Sequence, residues 1–155
     1  MPTLFMLIGV PAAGKSTYLA NQDLTNAVVV STDNHVERLA KLNNTTYSDI
    51  FQKVIGEATR LMNEDLRKAI LDQKDVYWDQ TNLNVKVRAG KLAQVPATYK
   101  KVAVFFPTPD HAELRKRLDG RPGKTIPANV IMGMKSQLTM PTLEEGFDEI
   151  IVVGV

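Results

Sequence analysis

Five short stretches of this chain are apolar and rich in β-branched residues: Thr3–Ile8, Ala27–Ser31, Asp75–Trp78, Lys101–Phe106 and Glu149–Val153. Several run on without polar alternation, which suits strands covered on both faces. Between them the apolar spacing changes to three and four. The clearest case extends from about Ser48 to Gln73, where Ile50, Val54, Ala58, Leu61, Met62, Leu66, Ala69 and Ile70 share a helical stripe. Shorter helices are expected over Lys15–Asn21, Asn34–Lys41, Val85–Val95, Asp110–Leu118 and Ala128–Leu138. Pro109 precedes one of these and Pro127 opens another, positions where proline suits a helix start. Strands alternating with helices predict an α/β fold with a parallel sheet and right-handed crossovers.

Composition adds bounds rather than detail. No repeat, low-complexity tract or linker divides the sequence, so residues 1–155 read as one domain. There is no cysteine, which excludes disulfides, thiolate nucleophiles and thiolate metal sites. The first apolar run has no basic region before it, unlike a signal peptide, and no run approaches the roughly 20 residues that span a membrane. A soluble cytoplasmic protein without membrane contact is the expectation. Net charge is only +2, but it is unevenly spread. Residues 100–124 carry seven bases against three acids, and residues 141–155 carry four acids and no base.

The sharpest chemical signal is Gly9-Val-Pro-Ala-Ala-Gly14-Lys15-Ser16, a complete G-x-x-x-x-G-K-[ST] pattern between a strand and a helix. Glycines let the backbone curl so that successive N–H groups point at phosphate oxygens. Lys15 is expected to reach the β- and γ-phosphates of ATP, and the Ser16 hydroxyl to ligate Mg²⁺. Gly9, Pro11, Ala12, Ala13, Gly14, Lys15, Ser16 and Thr17 are thus the nucleotide-binding candidates.

A phosphate loop serves kinases, ATPases and switches alike, so the remaining polar groups must discriminate. "VVVSTDN" ends one strand at Asp33, and "VYWDQTNLN" ends another at Asp79. In a parallel sheet both emerge at the carboxyl edge beside the phosphate loop. One such carboxylate can hold the magnesium water shell, and a second can take a proton from an attacking hydroxyl. Asp33 also suits a helix N-cap, and Asp79 also suits support of the turn after it. The segment "RKRLDGRPGK" places Arg115, Arg117 and Arg121 close together, and the Gly/Pro-rich stretch that it enters, approximately 117–127, suits a mobile lid. An arginine delivered by a lid stabilises charge on a transferred phosphoryl group, although such runs also occur as solvated basic faces. His35 and His111 read as surface histidines, and Trp78 and Tyr18 as packing residues.

The blocks "GVPAAGKST", "STDN", "DQTNLN", "KRLDGRPGKTIP" and "PTLEEGFDEI", spread over nearly the whole chain, resemble the 5′-polynucleotide kinase family. The family includes the phage-type enzymes and the kinase half of eukaryotic polynucleotide kinase-phosphatases. The resemblance implies the adenylate-kinase-like branch of P-loop proteins, with a five-stranded sheet in the order 2-3-1-4-5. It implies transfer of the ATP γ-phosphate to the 5′-hydroxyl end of DNA or RNA. Asp33 then matches the general base, Arg121 the lid arginine on the transferred phosphate, and Arg117 its companion. Asp79 matches the acid at the third strand's end, acting on the metal through water, with Thr81 and Asn82 shaping the acceptor side of the loop.

One position departs from the pattern. The phage-type enzymes carry an acceptor-binding arginine three residues after the base, where this chain has Val36. Arg38 is the substitute candidate, although two residues further along a helix is about 200° further round. No phosphatase motif is present. A kinase of a small hydroxylated acceptor, such as a nucleoside, sugar or antibiotic, is the alternative on the same scaffold, and a non-catalytic ATP-binding module is a third reading.

Overall fold

A computed structural model describes residues 1–154. The elements are β1 (Thr3–Ile8), α1 (Lys15–Ala20), β2 (Ala27–Val30), α2 (Thr32–Leu42), α3 (Tyr47–Leu71), β3 (Asp75–Asp79), α4 (Val85–Leu92), β4 (Lys100–Phe105), α5 (His111–Asp119), α6 (Ala128–Gln137), a 3₁₀ turn (Leu143–Glu145) and β5 (Glu149–Val152). The strands form one five-stranded sheet in the order β2-β3-β1-β4-β5, and every pair is parallel. None of the helices among the described residues is long and apolar enough to cross a membrane.

The continuous apolar runs are explained by the two layers that cover the sheet. Leu4, Met6, Ile8, Val30, Val76 and Trp78 pack on one face against Met62, Leu66 and Ala69 of α3. Leu7, Tyr77, Val102, Val104 and Phe106 turn to the other face, where Tyr18 and Leu19 of α1 cover them. Successive side chains of a strand point to opposite faces, so a strand with no polar position must be buried on both. Trp78 is 1% exposed, and Tyr18 meets Phe106 edge-on at 5.5 Å, so both are packing residues.

The element limits shift where capping chemistry intervenes. The Ser31 side chain accepts from the Asn34 N–H at 3.3 Å and caps α2, which therefore begins at Thr32. β2 stops at Val30, and Asp33 sits in the first helical turn rather than at a strand end. Thr46 likewise caps α3 through the Asp49 N–H at 3.2 Å. α4 ends at Leu92 rather than Val95, in keeping with Pro96, whose ring disfavours helical backbone just before it.

The basic segment over residues 100–124 is not one patch. Lys100 and Lys101 open β4 at the amino edge of the sheet, opposite the phosphate loop. There they meet the acidic tail: Lys100 pairs with Glu149 at 3.0 Å, and the Lys101 N–H donates to Asp148 at 2.8 Å.

A buried arginine ties that tail to the loop after β3. Arg88 on α4 has no exposed side-chain surface. Its Nε donates to Glu145 Oε1 at 2.8 Å, and its Nη1 donates to the carbonyls of Asn82, Leu83 and Thr139 at 3.0, 3.1 and 2.9 Å. Removing one member of a buried ion pair leaves the other charge uncompensated, a cost of about 3–5 kcal/mol. Arg88→Met should therefore lower unfolding free energy by about that amount in urea titration, and Arg88→Met/Glu145→Met should lose less than the sum of the two single variants.

Candidate active site

The register of the central strands builds the site. Leu7 of β1 lies beside Asp79 of β3, so the loop leaving β1 emerges next to the carboxylate that ends β3. The two loops are joined by the Gly9 N–H, which donates to the Thr81 carbonyl at 3.0 Å. Asn82 completes the joint: its amide nitrogen donates to the Leu7 carbonyl at 2.7 Å, and its side-chain oxygen accepts from Lys91.

The phosphate loop passes twice through left-handed backbone. Gly14 does so at φ 112° without strain, having no side chain, and Ala12 does so at φ 65°, a value that a side chain resists. Val10, Ala12 and Ala13 are wedged against Leu83, Leu114 and Ile131, which fixes the loop from behind. Lys15 folds over the loop and donates to the Gly9 carbonyl at 2.6 Å and the Val10 carbonyl at 3.2 Å. Burial lowers its pKa from 10.5 to about 8, against the opposing fields of Asp79 and Asp33. Ser16 and Thr17 are exposed at the start of α1.

Asp79 is pushed above the usual carboxylate range, chiefly by burial, with Lys15 pulling it down and Asp33 pushing it further up. Gln80 bridges this loop to α2: its Nε2 donates to Thr32 at 3.2 Å, and its Oε1 accepts from Trp78 Nε1 at 3.0 Å and Lys91 at 2.7 Å. Lys91 has no carboxylate among its partners, and burial lowers its pKa to about 8. Asp33 receives the Tyr47 hydroxyl on Oδ1 at 2.6 Å. Lys124 approaches its Oδ2 at 3.6 Å while binding Glu37 at 2.8 Å.

The lid descends onto the start of α3. Ser48 N–H donates to the Gly123 carbonyl at 3.0 Å, and its side-chain oxygen accepts from the Thr125 N–H at 2.8 Å. Gly123 has φ 69°, and a Cβ there would stand 3.0 Å from the Thr46 Cβ, so only glycine fits this contact. Arg121 is half-buried, and its Nη1 is shielded from solvent without a hydrogen-bond partner among the described residues. Its positive field reaches both Lys15 and Tyr47. Arg117 instead donates to Glu113 at 2.9 Å and to the Ala12 carbonyl at 3.1 Å, bracing the back of the phosphate loop. Arg115 is exposed and pairs with Asp119 at 3.6 Å.

Lys15, Asp33, Asp79 and Arg121 are thus brought within one electrostatic neighbourhood. Other sequence candidates fall elsewhere. Asn82 is 1% exposed and spends its amide inside the fold, so it shapes the loop and does not face an acceptor. Thr81 contributes its backbone carbonyl to Gly9. Arg38 is exposed on α2 and donates to His35 Nδ1 at 3.2 Å, while His35 meets Asp65 at 2.7 Å. His35 is therefore a half-buried bridge between helices and not a surface histidine; His111 is exposed. Tyr47, Lys124, Lys91 and Arg88 escaped the sequence reading. Of these only Lys124, inside the lid motif, carried a signal that could have found it.

A parallel sheet in this order, a phosphate loop after the central strand and a basic lid define the P-loop fold of the kinase type. The chain belongs to a family of AAA domains, whose model matches residues 4–141. It resembles a chain of a Pnkp1/Rnl/Hen1 complex at 23% identity and TM-score 0.55, covering 75% of this chain and 38% of that one. A putative kinase from Chloroflexus aurantiacus is 18% identical with TM-score 0.71, over 98% of this chain and 84% of that one. A gluconokinase from Sinorhizobium meliloti is 17% identical with TM-score 0.53, over 98% and 82%. These likenesses show a shared fold.

The residues present fit a magnesium nucleotide. The unpartnered Arg121 Nη1 and the carbonyl-bound Lys15 are cations without a tight carboxylate partner, as an incoming triphosphate requires. No cluster of three or more His, Asp or Glu suited to a metal occurs among the described residues. A divalent ion would rest on Ser16, on Asp79 through water and on the phosphates themselves.

The lowered Lys15 pKa has a measurable sign. Near pH 9 a lysine with a pKa of about 8 is mostly neutral in the free protein, and a bound triphosphate favours its charged form. ATP binding should therefore take up close to one proton at pH 9 and almost none at pH 6.5, read by calorimetry in buffers of different ionisation enthalpy. Lys15→Met should remove that uptake. Lys15 and Lys91 also bind fewer protons folded, with pKa values of about 8, than unfolded, at 10.5. Their contribution to the stability of the nucleotide-free protein accordingly grows as pH rises from about 8 to 10.5.

Proposed function

We propose that the chain is an ATP-dependent kinase that transfers the γ-phosphate to the 5′-hydroxyl end of DNA or RNA. The observation that carries the reading is the placement of Asp33. Its field reaches Lys15 and Asp79 on one side, and on the other its carboxylate is bound by Tyr47 and approached by Lys124, two residues that line an open groove. The groove runs between α2 and the lid, about 390 Å³ lined in part by Glu37, Tyr47, Pro122 and Lys124. It shares Glu37 and Lys41 with an adjoining groove of about 500 Å³ beside Asn34 and Arg38. The lining of this groove by α2 and the lid leaves room for the terminus of a polymer whose remainder stays outside.

In this mechanism Asp33 takes the proton of the acceptor hydroxyl, whose oxygen attacks the γ-phosphorus. The bond from that phosphorus to the β–γ bridging oxygen breaks, and ADP departs. Lys15 and Arg121 meet the charge on the transferred oxygens, an interaction that strengthens in the transition state. Magnesium held at Ser16 and Asp79 would neutralise phosphate charge.

A small hydroxylated acceptor is the second reading, and two observations favour it. Glu37 places a carboxylate in the lining of both grooves, and the position of Lys100 and Lys101 at the far edge of the sheet takes two bases away from any track for a phosphate backbone.

Incubation with γ-labelled ATP, Mg²⁺ and either a 5′-hydroxyl oligonucleotide or a panel of nucleosides and sugars separates the two. Label on the oligonucleotide is expected; label confined to small acceptors overturns the polynucleotide reading. Asp33→Asn should lower kcat by about 10²–10⁴-fold with ATP affinity little changed. Arg121→Ala should lower kcat by about 10²–10³-fold, and an equal loss in ATP affinity would make Arg121 a binding residue only.

A further inference from the structure

We propose that Tyr47 is the positioning residue of the base, its hydroxyl holding one oxygen of the Asp33 carboxylate so that the other is presented to the acceptor. The inference rests on the assignment of Asp33 as the base in the reading above. A carboxylate in the first turn of a helix rotates broadly about its terminal torsion. Here Oδ1 is pinned by the Tyr47 hydroxyl at 2.6 Å. Oδ2 accepts no hydrogen bond from the described residues, and Lys124 stays 3.6 Å away, engaged more closely with Glu37.

Tyr47 is itself fixed. It is the first residue of α3, its ring centroid lies 5.5 Å from that of Phe51, and the Lys124 ammonium stands 4.5 Å above it. Burial, then the Asp33 contact, push its phenol far above the ordinary range, so it keeps its proton and remains a donor at any working pH. In the transfer step the acceptor O–H bond breaks and an O–H bond forms at Oδ2. The Tyr47 O–H stays intact and continues to donate to Oδ1. Ser48, the next residue, carries the lid contacts to Gly123 and Thr125, so the same helical turn that orients the base receives the lid.

Tyr47→Phe removes the hydroxyl and keeps the ring between Phe51 and Lys124. The variant is assayed beside Asp33→Asn with the 5′-hydroxyl oligonucleotide, or with whichever hydroxyl acceptor of the panel turns over. The expected result is a kcat lowered about tenfold, the size of one lost hydrogen bond to a charged group. KM for ATP and for acceptor should be unmoved, and the thermal midpoint should fall by no more than one lost hydrogen bond accounts for. An inactive Asp33→Asn with wild-type kcat in Tyr47→Phe overturns the positioning role and leaves the base standing. A Tyr47→Phe loss that appears in KM with kcat unmoved, or a thermal midpoint lowered well beyond one hydrogen bond, reduces Tyr47 to packing and overturns it also. A fully active Asp33→Asn removes the base and, with it, any role of Tyr47 in orienting it.

Discussion

The site depends on a backbone joint: the Gly9 N–H bound to the Thr81 carbonyl, with the Asn82 amide bound to the Leu7 carbonyl. β1 and β3 are neighbours in register, so the phosphate loop and the acid-bearing loop leave the sheet at the same height. The two bonds turn adjacent loops into one piece. They also carry strain, since Ala12 and Asn82 both hold left-handed backbone at φ 65° and 49°. Strain of this kind persists only where the surroundings over-determine it. Arg88 and Lys91 supply that determination, one gripping the Asn82 and Leu83 carbonyls and the other gripping Gln80 and Asn82 side chains. A buried arginine and a half-buried lysine thus hold the loop that follows Asp79.

Rigidity there makes the electrostatics meaningful. Lys15 is desolvated and donates only to backbone carbonyls, and Asp79 is desolvated and shifted toward its neutral form. Both groups are held in states that a triphosphate and its cation would relieve. Arg121 adds a buried donor without an acceptor. On arrival of a triphosphate Lys15 would exchange its loop carbonyls for phosphate oxygens, and Arg121 would gain the acceptor that it lacks.

Sequence patterning carried the sheet, because buried parallel strands leave a continuous apolar signature and the long stripe of α3 repeats at helical spacing. The resemblance carried the strand order. The phosphate loop was legible because its chemistry is local: the whole motif lies within nine consecutive residues. Asp33 was placed in the right neighbourhood but on the wrong element, since Ser31 caps α2 and draws the helix back over a residue read as a strand end. The residues that escaped share a different property. Tyr47 acts 14 residues from its partner, and Arg88 pairs 57 residues away. Contacts of that range are decided by tertiary packing and leave no spacing to count. Composition misled in one respect: the basic run over residues 100–124 looked continuous, yet a strand carries its first two lysines to the far edge of the sheet.

The Val36 position follows from the same packing logic. α2 must bury one face against α3, and Val36 and Ala40 are the residues that do so, with Ile50 and Ala58 opposite them. Val36 is 0% exposed, so an arginine there would point into an apolar interface rather than toward an acceptor. The helix cannot both seal this core and present a cation at that register. Arg38 lies about 200° further round and turns to His35. Lys124 of the lid, by contrast, stands within 4 Å of Asp33. Positive charge beside Asp33 is thereby carried by a segment that docks through Ser48 and Thr46 rather than by the helix that carries Asp33. Charge complementarity at the groove then depends on lid position, whereas in an arrangement with the arginine on α2 it would be permanent.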